Sequence, residues 1–236
     1  MPLPDAVFGS IMAIDVERFG DPHRDDRSGF LVIEAFYRVL REAFAAASLP
    51  WDECRPEDRG DGALVFVPAR FATVLLLDPL LGWLTTAVDR HNREVDLSQR
   101  FRLRVALHRG ETLRTEHGHT GNSVVLACRL LDADALRAAL RHARTNLAVI
   151  ISEDLYDNLV RHGHRGLDPA AYHPVSVAVK RTTARAWIHL PGCSEAPVFD
   201  GPSGSGSLDR AGGVHVTGTA SGARSVGVKI GKLGWG

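Results

Sequence analysis

Apolar and polar positions alternate from Phe101 to His108. Phe101, Leu103, Val105 and Leu107 fall on one side and Arg102, Arg104 and Ala106 on the other, the two-residue period of a strand. A different spacing governs Ser28 to Ala47, where Val32, Phe36, Val39, Leu40, Ala43 and Phe44 recur at three and four residues. That spacing predicts a helix, with Ser28 as its N-cap and Pro50 as its stop. Helical spacing returns from Arg70 to His91 through Val74, Leu75, Leu77, Leu81, Leu84 and Val88, with Pro79 expected to kink the helix. Ala6 to Val16, Leu64 to Val67 and Leu147 to Ile151 are apolar runs that predict strands, the second of them the central one. Trp51 to Glu57 reads as a short strand or irregular run, and Gly110 to His119 as a turn excursion. A third helical region runs from Gly121 to Leu131 and continues from Ala133 to Arg144. Ser152 is placed to cap a helix through Val160, and Val175–Lys180 with Ala184–His189 reads as a closing hairpin.

Strand, helix, strand, strand, helix, strand, followed by additions, predicts an α+β domain: a mainly antiparallel sheet with helices on one face. Composition divides the chain. From Gly201 to Gly236 there are 11 glycines in 36 residues, with many serines, too few apolar groups for a core. The folded domain is therefore set at 5–192 and a flexible Gly/Ser-rich tail at 193–236. Basic and acidic residues balance at 28 each, which gives no footprint for nucleic acid. No apolar run is long enough to span a membrane, and Met1-Pro2-Leu3-Pro4-Asp5 lacks the basic start of a secretory signal. Cys54, Cys128 and Cys193 are odd in number and scattered, as expected of reduced thiols in a cytoplasmic protein.

Candidate chemistry gathers at Arg59-Gly60-Asp61-Gly62, a tight turn that feeds the apolar strand ended by Pro68. Read alone, it is a hairpin turn with aspartate at a turn position. A second carboxylate, Asp15, ends the first strand, and a strand–helix–hairpin unit brings the two together. Paired carboxylates repel unless a cation lies between them, and hard oxygen ligands suit Mg²⁺ or Mn²⁺. Histidines at His117/His119 and His162/His164 lack the further ligands of a closed zinc site.

Four motifs in order resemble the class III nucleotide cyclase catalytic domains, from about residue 8 to 190. Ala13-Ile14-Asp15-Val16-Glu17-Arg18-Phe19-Gly20 resembles the first metal motif of that family and Arg59-Gly60-Asp61-Gly62 the second. Gly121-Asn122-Ser123-Val124-Val125-Leu126-Ala127-Cys128-Arg129 resembles its Asn/Arg helix, and Val175 to Lys180 its phosphate-gripping strand. The resemblance implies a ferredoxin-like βαββαβ core. It also implies two Mg²⁺ or Mn²⁺ ions on Asp15 and Asp61, with the Val16 carbonyl as an extra ligand. Arg129 would steady the α-phosphate in the transition state, and Lys180 would hold the β/γ-phosphates. The substrate would be a nucleoside triphosphate, converted to a 3′,5′-cyclic nucleotide and pyrophosphate in a homodimer with two equivalent sites.

Departures from the family pattern keep a second reading open, a catalytically inactive nucleotide sensor acting on an effector through its tail. Val125 stands where the family has a ribose-orienting asparagine, with Asn122 one turn earlier as a poor substitute. Arg18 replaces a glycine of the phosphate turn, where it could neutralise a triphosphate or block it. Glu57 matches the position that reads the base, but its partner position is Gly118. In the tail, Val228-Lys229-Ile230-Gly231 loosely resembles the core of amyloid-type signalling motifs.

Overall fold

A computed structural model describes residues 5–22, 24–179 and 182–199. The expected tail motif and Lys180 lie outside the described residues.

The fold is built outward from β1 (Ala6–Val16), whose inner residues are buried on both faces. On one side it pairs antiparallel with β3 (Gly62–Pro68), from Gly9↔Pro68 to Asp15↔Gly62. On the other it pairs antiparallel with β4 (Leu103–Thr115), from Ala6↔Leu113 to Val16↔Leu103. The short β2 (Pro56–Asp58) forms an edge beside β3. Helix α1 (Asp26–Ala46) connects β1 to β2, and α2 (Val74–Leu77) with α3 (Leu80–Glu94) connects β3 to β4. Strand order β2-β3-β1-β4 is that of the ferredoxin-like βαββαβ unit. The remainder extends the sheet: β5 (Gly118–Thr120) pairs with β4, and β6 (Leu147–Ser152) lies parallel to it. Beyond β6 come β8 (Thr182–His189) and the edge strand β7 (His173–Val179). Leu64–Val67 therefore belongs to a strand one place from the edge. The centre is held by β1 and β4, because β2 adds only one short strand outside β3 while β6, β8 and β7 extend the β4 side.

Strand alternation sorts the core into two layers. Met12, Ile14 and Val16 pack with Val32, Phe36, Val39 and Leu40 of α1 and Leu81, Leu84 and Val88 of α3. Ile11 and Ala13 point the other way, onto Val124, Ala127 and Leu130 of α4 (Asn122–Leu131) and Leu136, Ala139 and Leu140 of α5 (Asp134–His142). The βαββαβ core carries α1 and α3 on one face, as expected, and α4 and α5 cover the other. The βαββαβ unit supplies helices to one side only; the segment between β5 and β6 supplies the second layer.

Local departures have local causes. Asp25, not Ser28, caps α1: its Oδ1 accepts from the Ser28 N–H at 2.8 Å, three residues on as the geometry of a cap requires. Pro79 separates two helices rather than kinking one, with Asp78 in extended backbone before it, as proline imposes on its predecessor. Ser152 precedes the short α6 (Glu153–Leu155) without capping it; its Oγ lies 2.9 Å from His108 Nδ1 instead. β4 runs on to Thr115 and turns back into β5, and His119 of β5 stacks on Phe66 at 4.0 Å. Trp51–Cys54 is a 3-10 turn before β2. No helix among the described residues is long and apolar enough to cross a membrane.

Candidate functional site

The turn between β2 and β3 sets the two aspartates side by side. Its backbone closes through the Arg59 N–H donating to the Gly62 carbonyl at 3.0 Å, with Gly60 at φ +84°. A Cβ at Gly62 would fall 2.3 Å from the Ile14 carbonyl oxygen. Glycine is therefore what lets β3 start against the end of β1. The Val16 N–H then donates to the Asp61 carbonyl at 2.9 Å, and Asp15 stands directly across from Gly62. The neighbourhood expected of Asp15 and Asp61 is formed by backbone pairing, with Asp61 exposed to solvent.

Asp15 already has a cation. Arg104 is its cross-strand partner on β4. The Arg104 Nε donates to Asp15 Oδ1 at 2.9 Å and its Nη2 to Oδ2 at 2.6 Å. Both side chains are well buried, 16% and 12% exposed. Burial pushes the Asp15 carboxyl up to about 6, against the pull of Arg104; nearby Asp61 raises it further and Arg137 opposes. The ion pair orients the carboxylate without fully offsetting its desolvation.

This arrangement bears on the expected metal pair. Both Asp15 oxygens accept from a guanidinium fixed in the sheet, and each keeps a further lone pair that a divalent ion would have to share with it. Among the described residues no three of His, Cys, Asp and Glu cluster to hold a metal. Val16 is buried, and its N–H donates to the Asp61 carbonyl, which holds the two strand ends together. Asp15 and Asp61 would hold such ions only in competition with the Arg104 guanidinium.

The base-reading candidate is also engaged. Glu57 Oε1 accepts from the His119 N–H at 2.7 Å and lies 3.3 Å from its Nδ1, while Oε2 accepts from Arg59 at 2.8 Å. Its carboxyl rests over Gly118, where an added Cβ would meet it at 2.1 Å. Burial holds the His119 ring below the usual histidine range, although Glu57 pulls it up. Glu57 therefore fastens β5 to the β2–β3 turn.

The helix motif lies on α4. Asn122, Val125 and Arg129 follow at three and four residues and share one outward side. Val125 is 47% exposed, an apolar side chain where a polar contact was looked for. Arg129 is part-exposed, with no ion-pair partner among the described residues. Arg18 adopts the left-handed region at φ +52°, and its Nη2 lies 3.4 Å from Asp21 Oδ2 with most of the side chain in water. The structure brings Asp15, Asp61 and Glu57 to one end of the sheet.

The sequence matches no protein-family model and no curated protein. Solved structures do match. The crystal structure of the guanylyl cyclase Cya2 aligns over 83% of this chain and 99% of its own, with a TM-score of 0.58 at 14% identity. The adenylate/guanylate cyclase/hydrolase from Silicibacter pomeroyi aligns over 80% and 99%, with a TM-score of 0.54 at 16% identity. The chain has the class III nucleotide cyclase fold. A bacterial light-regulated adenylyl cyclase gives the same result, over 78% of this chain and 90% of its own, with a TM-score of 0.53 at 12% identity. Within that cyclase fold, Arg104 is the residue that sequence reasoning missed. Alternation put it opposite Leu103 and Val105 on β4, but only the β1–β4 register sets it against Asp15.

Proposed function

We propose that this chain is a nucleotide-binding module of the cyclase fold that does not itself cyclise nucleotides. The observation that carries this reading is the two-pronged grip of Arg104 on Asp15. A carboxylate held by a buried guanidinium is already neutralised, and releasing it would leave a buried cation unpaired at a cost of several kcal/mol, about 3–5. Two further features agree: Glu57 is spent on His119 and Arg59, and Val125 offers the ribose no hydrogen bond. A nucleoside triphosphate would be the bound state that the module reports. The effector partner expected of the tail rests on the sequence motif alone.

One observation favours the enzymatic reading. Asp61 is exposed beside Asp15 and Arg129 has no ion-pair partner among the described residues, so part of the charge-handling set stands ready. That reading requires Asp15 to accept Mg²⁺ or Mn²⁺ beside or in place of Arg104, and two copies of the chain to share their sites.

The test is incubation of the full chain with each of the four ribonucleoside triphosphates and Mn²⁺, with cyclic products sought by mass spectrometry. Nucleotide binding is measured in parallel by calorimetry. Binding without a cyclic product is expected. A cyclic product that disappears in Asp61→Ala would overturn the proposal.

A further inference from the structure

Beside the aspartates, a cavity of about 390 Å³ is lined by Glu17, Arg18, Arg102, Arg104, Arg137 and Arg141. Five guanidinium groups and one carboxylate on one small concave surface is an unusual concentration in a chain whose charges balance overall. The arginines come from three places that the fold brings together: the β1–α1 turn, the start of β4 with Arg102 just before it and Arg104 on it, and one side of α5.

Carboxylates hold several of these arginines. Arg104 is held by Asp15 through Nε and Nη2. Arg102 is held by Glu17 through Nε at 2.7 Å, while its Nη1 donates to the Leu140 carbonyl at 2.8 Å. Arg137 is held by the Asp132 carbonyl at 2.7 Å and by the Asp132 carboxylate at 3.1 Å, with Asp134 at 3.3 Å. Arg18 pairs with Asp21. Each guanidinium carries five N–H donors, so an arginine anchored in this way keeps donors for a ligand. Arg104 Nη1 has no hydrogen-bond partner among the described residues, yet no buried side-chain nitrogen lacks one. That nitrogen is therefore open to solvent. Arginines fixed before binding lose little freedom when an anion arrives, and their forks match phosphate oxygens two at a time.

We propose that this cavity is a metal-independent site for a short polyphosphate chain, with guanidinium groups doing the charge neutralisation that divalent ions do elsewhere. A triphosphate spreads its charge over several oxygens, which suits a ring of forked donors better than one point charge. Glu17, Arg18 and Arg102 also line a second cavity of about 640 Å³, whose volume is enough for a nucleoside. The nucleotide form of the ligand rests on the function proposed above; the polyphosphate site does not.

The test is calorimetric titration of the full chain in EDTA with inorganic tripolyphosphate, ATP and adenosine as separate probes. The measurements are repeated with Arg137→Ala and Arg141→Ala, both on α5. Tripolyphosphate binds without metal in the expected result, and each substitution weakens it by about tenfold or more, the usual worth of a charge-assisted hydrogen bond. ATP binding tighter than tripolyphosphate identifies the nucleotide as ligand. Tripolyphosphate binding with no ATP binding keeps the site and removes the nucleotide reading. The site is overturned if tripolyphosphate fails to bind, binds only when Mg²⁺ is added, or binds both variants as tightly as the wild type.

Discussion

Replacing Arg104 by methionine removes the guanidinium and leaves the Asp15 carboxylate buried alone. Asp15 is 16% exposed and Arg104 12%, so water can replace little of the lost contact. Breaking a buried pair from one side costs about 3–5 kcal/mol; the residual exposure places this case near the lower end, about 3 kcal/mol. Removing both charges gives a different result. Asp15→Leu with Arg104→Met replaces a desolvated ion pair by apolar side chains between β1 and β4, and such replacements are often neutral or stabilising. The double variant is expected within about 1 kcal/mol of the wild type, far from the sum of the two single losses. Urea denaturation at a pH well above 6, where Asp15 is ionised, gives the four stabilities of the cycle. A loss under about 1 kcal/mol for Arg104→Met, or a double variant equal to the sum of the singles, would refute the pairing as described.

Other expectations follow from the same contacts. The Asp15 carboxyl is raised from 3.8 to about 6, so in that window the folded chain holds a proton that the unfolded chain releases. Its contribution is fully present below the unfolded value and is lost as pH rises through about 6, at most about 3 kcal/mol. Asp15→Asn should therefore flatten the fall in stability between those pH values in denaturant titrations, and an unchanged slope would contradict this. Asn92 both donates to the Phe101 carbonyl at 2.8 Å and accepts from its N–H at 3.1 Å. Asn92→Ala should cost about 2–3 kcal/mol and speed amide exchange at Phe101. Gly118→Ala places a Cβ against the Glu57 carboxyl at φ +124°. A loss of about 2 kcal/mol is expected, with part of it regained when Glu57→Ala is added; no recovery would show that the backbone angle alone is responsible.

Much of the fold was legible because burial leaves a periodic trace. β1, α1, α3, β4 and β6 all carry clean apolar spacing; β1, α1 and β6 lie where that spacing places them, whereas α3 starts only after Pro79 and β4 runs on to Thr115. The second helical layer was less legible. α4 and α5 were expected as helices, but nothing in their spacing says which face of the sheet Ala127 and Leu136 cover. Asp15 and Asp61 could be paired on paper because a strand–helix–hairpin unit returns the chain to its start. Arg104 could not, since its meaning depends on the β1–β4 register, which joins residues 89 positions apart. Glu57 shows the same limit: its distance from Asp61 is visible in the sequence, whereas its bond to the His119 N–H follows from how β5 folds back over Phe66.

The central proposal is that Arg104, by holding Asp15, keeps it from a metal. Mn²⁺ titration followed by electron paramagnetic resonance tests it most directly, because bound Mn²⁺ loses its free-ion signal. The wild-type chain should leave that signal undiminished at millimolar metal, with Asp15→Asn and Asp61→Ala indistinguishable from it. Stoichiometric loss of the signal that either substitution abolishes would contradict the account.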